Sequence, residues 1–132
     1  MLDLIFIVDD SDTMLSVMAS VLENEYRVLT LPSAKKMFTM LEKKSPNMIL
    51  LDIEMPEMTG FEAIVTLKDN PAWKNIPVVF LTGLSNDAIQ AKAIQLGALG
   101  VISKSLKPDA VKESVIEFIK LNLTTETLPI LK

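Results

Sequence analysis

The chain has no cysteine and no histidine among its 132 residues. Disulfide frameworks and thiolate metal sites are therefore excluded, and the commonest zinc ligand and general base are missing. Site chemistry must come from carboxylates, hydroxyls and amines. Glycine is scarce at 4 residues, while 49% of residues are apolar and 23% charged, the balance of a folded domain and not of a disordered chain. Long apolar runs are missing too: Met48 to Leu51 and Pro77 to Leu81 fall far short of the ~20 residues a membrane helix needs. The Met-Leu-Asp start has no basic segment ahead of an apolar one, so no signal peptide is expected and the cytoplasm is the expected location. A formal charge of −4 argues against direct nucleic-acid binding, which relies on clustered Lys and Arg.

What remains describes one domain, large enough to bury a core without staples. Short apolar runs alternate with segments of helical period, the signal for a parallel sheet covered by helices on both faces. The runs are Leu4 to Val8, Tyr26 to Leu29, Met48 to Leu51, Val78 to Leu81 and Leu99 to Ile102. After the first run, Met14, Val17, Met18, Val21 and Leu22 share a helical face, capped by Ser11 or Asp12. Ser33 opens a second helix through Ala34, Met37, Phe38 and Leu41, and Phe61, Ile64 and Val65 mark a third. A fourth starts at Ser85 and closes at Gly97; its small side chains make it the least anchored. The fifth starts at Pro108, carries Val111, Val115, Phe118 and Ile119, and is expected to end near Leu121. Residues 122–132 read as a flexible tail, docked through Leu128, Ile130 and Leu131.

In an open parallel sheet, ligands bind beyond the carboxyl ends of the strands, where strand order reverses. The first run stops at Asp9-Asp10, the third at Asp52 and the fourth at Thr82, and the fifth is followed by Lys104. Singly, Asp9-Asp10-Ser11-Asp12 reads as a helix cap and Asp52 as a turn residue. Five such residues on one sheet edge read as a site. Three carboxylates within ~4 Å repel by ~4 kcal/mol per pair at the effective dielectric of protein sites, so they need a cation or a proton. All-oxygen ligation favours Mg²⁺. Lys104 can pair with a phosphate oxygen and Thr82 can donate its hydroxyl to another, which assembles the requirements of phosphoryl transfer with Asp52 as nucleophile.

The pattern resembles the receiver domains of two-component response regulators, in a stand-alone form like the chemotaxis regulators. The resemblance rests on Ile-Val-Asp9-Asp10, on Leu-Leu-Asp52-Ile-Glu-Met-Pro56-Glu-Met-Thr-Gly60-Phe, on Leu-Thr82-Gly and on Lys104, and covers residues 3–121. It implies a flavodoxin-like, doubly wound (βα)5 three-layer sandwich with strand order 2-1-3-4-5. It also implies phosphoryl transfer to Asp52 from a histidine kinase or phosphotransfer protein, slow self-dephosphorylation, and output through an unidentified downstream protein. By the same resemblance, Asp10 and Asp52 ligate Mg²⁺ directly, Asp9 mainly through water, and Glu54 through its backbone carbonyl, while Pro56 and Gly60 shape the loop. Such a protein turns over only its own phosphoryl group and is not otherwise an enzyme.

Two positions depart from the family pattern. Ser105 follows Lys104 where receivers usually have a proline in a cis bond, and a cis bond without proline costs ~2.5–4 kcal/mol. The loop therefore either meets that cost or is trans with Lys104 aimed differently. Val101 stands where the family often places an aromatic residue that swings inward on activation. Met55 and Met58 offer a candidate adaptable contact surface, against the plainer reading of filler. The rival readings fit less well. An aspartyl-phosphate phosphatase starting at Asp10 has Asp12 but then Met14; a calcium loop needs an acid at Met14 and a glycine at Leu15; a flavodoxin needs a hydroxyl-rich loop after the first strand. A receiver-fold module acting by protein binding without phosphorylation is the remaining alternative.

Overall fold

The computed structural model describes residues 3–83 and 85–127, with side chains to residue 122. Five strands, β1 (Leu4–Val8), β2 (Arg27–Leu31), β3 (Met48–Asp52), β4 (Val78–Thr82) and β5 (Gly100–Ser103), form one parallel sheet in the order β2-β1-β3-β4-β5. Five helices alternate with them: α1 (Asp12–Leu22), α2 (Ala34–Leu41), α3 (Gly60–Lys68), α4 (Asp87–Gln95) and α5 (Pro108–Thr127).

All five residues of β1, β3 and β4 are buried, as expected for strands covered on both faces, and this is why they read as unbroken apolar runs. Successive side chains point to opposite faces and feed two separate cores. Phe6, Ile49, Leu51 and Phe80 pack with Met37 of α2, Ile64 and Leu67 of α3, and Ala93 of α4. Ile5, Ile7, Leu50 and Leu81 pack with Leu15 and Leu22 of α1 and Val111 and Val115 of α5. α4 contributes only Ala93 as a buried residue, in line with its weak apolar stripe.

Side chains cap the helix starts: Ser11 accepts from the Met14 N–H, Ser33 from Lys36, and Asn86 from Ile89, while Thr59 and Glu62 form a reciprocal capping box. α4 ends in a Schellman motif. Gly97, at φ 103°, donates to the Ile94 carbonyl, and Ala98 donates to that of Ala93.

Four expectations need correction. β2 starts one residue later than expected, because the Tyr26 N–H closes α1 on the Leu22 carbonyl, and it runs on to Leu31. β5 is shifted one residue, to Gly100–Ser103. α4 starts at Asp87, two residues after Ser85, because Asn86 is its cap. α5 does not end near Leu121 but continues to Thr127, since no glycine or proline interrupts the polar stretch before Pro129. The expected docking residues Leu128, Ile130 and Leu131 lie outside the described residues.

Gly60 matters for a different reason from Gly97. Its N–H donates to the Ile53 carbonyl at 2.8 Å, and a Cβ built there would be driven into the Asp52 carbonyl, which is backbone and cannot rotate away. Gly60→Ala is expected to destabilise the protein by about 1–3 kcal/mol through overpacking, read as a lower urea midpoint at unchanged m-value. An unchanged midpoint would show that the loop yields without cost.

Candidate functional site

The sheet order reverses between β1 and β3, and the crevice beyond their carboxyl ends collects the polar groups. Asp9 follows β1 directly and is fully buried; its N–H donates to the Leu31 carbonyl and its Oδ1 accepts from the Ser11 N–H at 2.9 Å. Asp10, next in the chain, is exposed. Asp52 and Thr82 are the last residues of β3 and β4, and both are buried. Lys104 sits just past β5, with its N–H donated to the Thr82 carbonyl at 2.8 Å.

Carboxylate oxygens of Asp9, Asp10 and Asp52 lie within 4.8 Å of one another. The Lys104 Nζ is 2.7 Å from Asp9 Oδ2 and 3.1 Å from Asp52 Oδ1. The Lys104–Ser105 bond is trans, since the described residues contain no cis peptide. The expectation that a trans loop would aim Lys104 elsewhere is thus wrong. Next to this bond the Ser105 N–H donates to Ser103 Oγ at 3.2 Å, and Ser103 is a residue that the strand-end rule passes over. A local signal for it exists: a hydroxyl two residues ahead of a backbone N–H that proline would lack.

Burial raises the Asp52 carboxyl to about 6; the negative charges of Asp9 and Asp10 push the same way and Lys104 opposes them. Burial alone would lower the Lys104 ammonium, but its contacts with Asp9 and Asp52 outweigh this and hold it above the ordinary lysine value.

The cluster fits a hard divalent cation on two counts. The donors are all oxygen, and Asp9 Oδ2 is buried with no well-directed hydrogen bond, only the ionic contact of the Lys104 ammonium. Glu54, expected to offer its carbonyl, lies two residues past Asp52 with its side chain exposed. Met55 is buried in the larger core and Met58 packs against it half-buried, so Met55 forms no contact surface. Val101 is half-buried and packs against that same core.

Residues 5–116 match the model of the response regulator receiver domain. The chain belongs to that family. A probable cyclic di-GMP phosphodiesterase of Vibrio cholerae is 38% identical over 111 residues, covering 84% of this chain and 25% of that protein. The two-component response regulator ORR3 of Oryza sativa subsp. indica is 32% identical over 106 residues, 79% of this chain and 81% of its own length. The solved structure of the chemotaxis response regulator CheY4 of Vibrio cholerae shares the fold with a TM-score of 0.83 at 23% identity, over 89% of this chain and 99% of that one. The receiver chain spans only a quarter of the phosphodiesterase, whose remainder lies outside the similarity.

The raised Asp52 carboxyl has a consequence for stability. The folded receiver holds that proton up to about pH 6, against 3.8 for the ordinary group, so the unfolded chain releases it first. Stability from this group is therefore greatest in acid and falls as pH rises between those values. Without metal at pH 7.5, Asp52→Asn is expected to be more stable than wild type, by at most about 3 kcal/mol. Thermal melts in EDTA check this, and added Mg²⁺ should narrow the gap by raising the wild type. A variant melting below wild type in EDTA would contradict the electrostatic reading.

Proposed function

We propose that this receiver takes a phosphoryl group onto Asp52 from a histidine kinase or phosphotransfer protein and signals through phosphorylation-dependent contacts with a downstream protein in the cytoplasm. The observation that carries the reading is the Asp52 carboxylate at the end of β3, 3.1 Å from the Lys104 ammonium and grouped with Asp9 and Asp10. No helix among the described residues is long and apolar enough to cross a membrane, and the acidic charge offers nothing to nucleic acid.

In the transfer, an Asp52 oxygen attacks phosphorus in line, the new P–O bond forms as the P–N bond to the donor imidazole breaks, and the ring, protonated beforehand on its other nitrogen, takes the P–N electron pair and leaves as neutral imidazole. Asp10, Asp52 and the Glu54 carbonyl would hold Mg²⁺ directly and Asp9 through water. The ion, when bound, neutralises charge on the phosphoryl oxygens. Lys104 turns from the carboxylates to one phosphoryl oxygen, and the Thr82 hydroxyl donates to another. The burial of Asp9, Asp52 and Thr82 keeps these interactions in a low dielectric, where they are strong. Residues 3–121 act as the receiver, with α5 extending past that boundary.

Incubation with acetyl phosphate and Mg²⁺ followed by intact-mass analysis is expected to show a single phosphoryl adduct on wild type, none on Asp52→Asn, and none on wild type in EDTA. An unmodified wild type would instead favour a receiver acting by protein binding alone.

A further inference from the structure

We propose that Ser103 and Ser105 are positioning residues for Lys104, holding through their hydroxyls the turn that aims its ammonium into the site. This rests on the phosphoryl-acceptor reading given above.

The Leu106 N–H donates to the Ser103 carbonyl at 3.3 Å, which makes 103–106 a β-turn with Lys104 and Ser105 at its centre. Ser103 Oγ accepts from the Ser105 N–H at 3.2 Å, the local hydroxyl-to-backbone bond that mimics a turn. Ser103 Oγ and Ser105 Oγ share a further hydrogen bond of 2.6 Å. On the other side, the Lys104 N–H is tied to the Thr82 carbonyl at 2.8 Å. The Lys104 backbone is thus fixed from both directions, to the end of β4 and to its own turn.

Lysine has four rotatable bonds and reaches its partners as a point charge, so its backbone direction decides whether its ammonium meets two buried carboxylates at once. A proline at the third position of this turn would remove the N–H that Ser103 captures, and proline is disfavoured there in the trans form of the commonest turn. The serine pair is therefore a different solution from a prolyl turn. It works through side-chain hydrogen bonds at a partly solvated surface, and such bonds are individually modest.

Ser103→Ala is expected to lower the rate constant for phosphoryl uptake from acetyl phosphate at saturating Mg²⁺ about fivefold, with Ser103→Thr restoring it to within about twofold. In a Lys104→Met background, Ser103→Ala should have no further effect, because the serine acts only through the lysine. An equal loss in that background, or no loss in the wild-type background, would overturn the proposal. The lysine ammonium NMR spectrum of the metal-free protein reads the same geometry without any phosphoryl chemistry. A protected Lys104 resonance is expected in wild type and Ser103→Thr and should be lost in Ser103→Ala. If that pattern appears while wild type takes no phosphoryl group, the acceptor reading fails and the positioning role stands. If wild type is phosphorylated and the resonance is unchanged in Ser103→Ala, the positioning role fails alone.

Discussion

The ammonium of Lys104 between Asp9 and Asp52 is the contact on which the rest of the receiver depends. Two carboxylates buried side by side repel strongly and lose the water that would solvate them, and a third, Asp10, adds its charge from the rim. Each requirement of the proposed chemistry would worsen this problem, because a nucleophilic carboxylate must be desolvated to be effective and a metal site must gather anions. Lys104 relieves the strain in the structure as it stands; under the proposed function a divalent cation would relieve it further, and a phosphoryl group would give the lysine a new anion to follow.

Holding such a cluster requires a rigid frame, and the sheet supplies it. Asp9, Asp52 and Thr82 sit at or just past the ends of three adjacent strands whose residues are wholly buried, so their backbones are fixed by ladders on both sides. The two cores offset the unfavourable electrostatics from either face. The tight approach of Gly60 to the Asp52 carbonyl then fixes the loop that begins at Asp52, so α3 starts close to the acidic cluster.

Much of this is legible in the sequence for one physical reason. Central parallel strands must be apolar throughout, so the first polar residue after each run marks the sheet edge where ligands bind. That rule places Asp9, Asp10, Asp52 and Thr82 from the order of residues alone. It fails where burial is partial: β2, with Arg27 and Thr30 exposed, is misplaced by it, and the end of α5 is set too early because polar threonines carry no stop signal. Met55 follows the plainer reading of filler, since it is buried in the larger core. The membership of Lys104 in the site is legible, but its aim across a trans bond is not, because the hydroxyl of Ser103 signals a local turn without giving the direction of the lysine side chain. The role of Glu54 comes only from the family resemblance.

Under the proposed function Asp52, and not one of its acidic neighbours, carries the phosphoryl group. Borohydride reduction of the phosphorylated protein converts an aspartyl phosphate to homoserine, and tandem mass spectrometry of the peptides then locates it. Homoserine is expected at position 52 alone; homoserine at position 9 or 10 would show that a neighbouring acid carries the phosphoryl group.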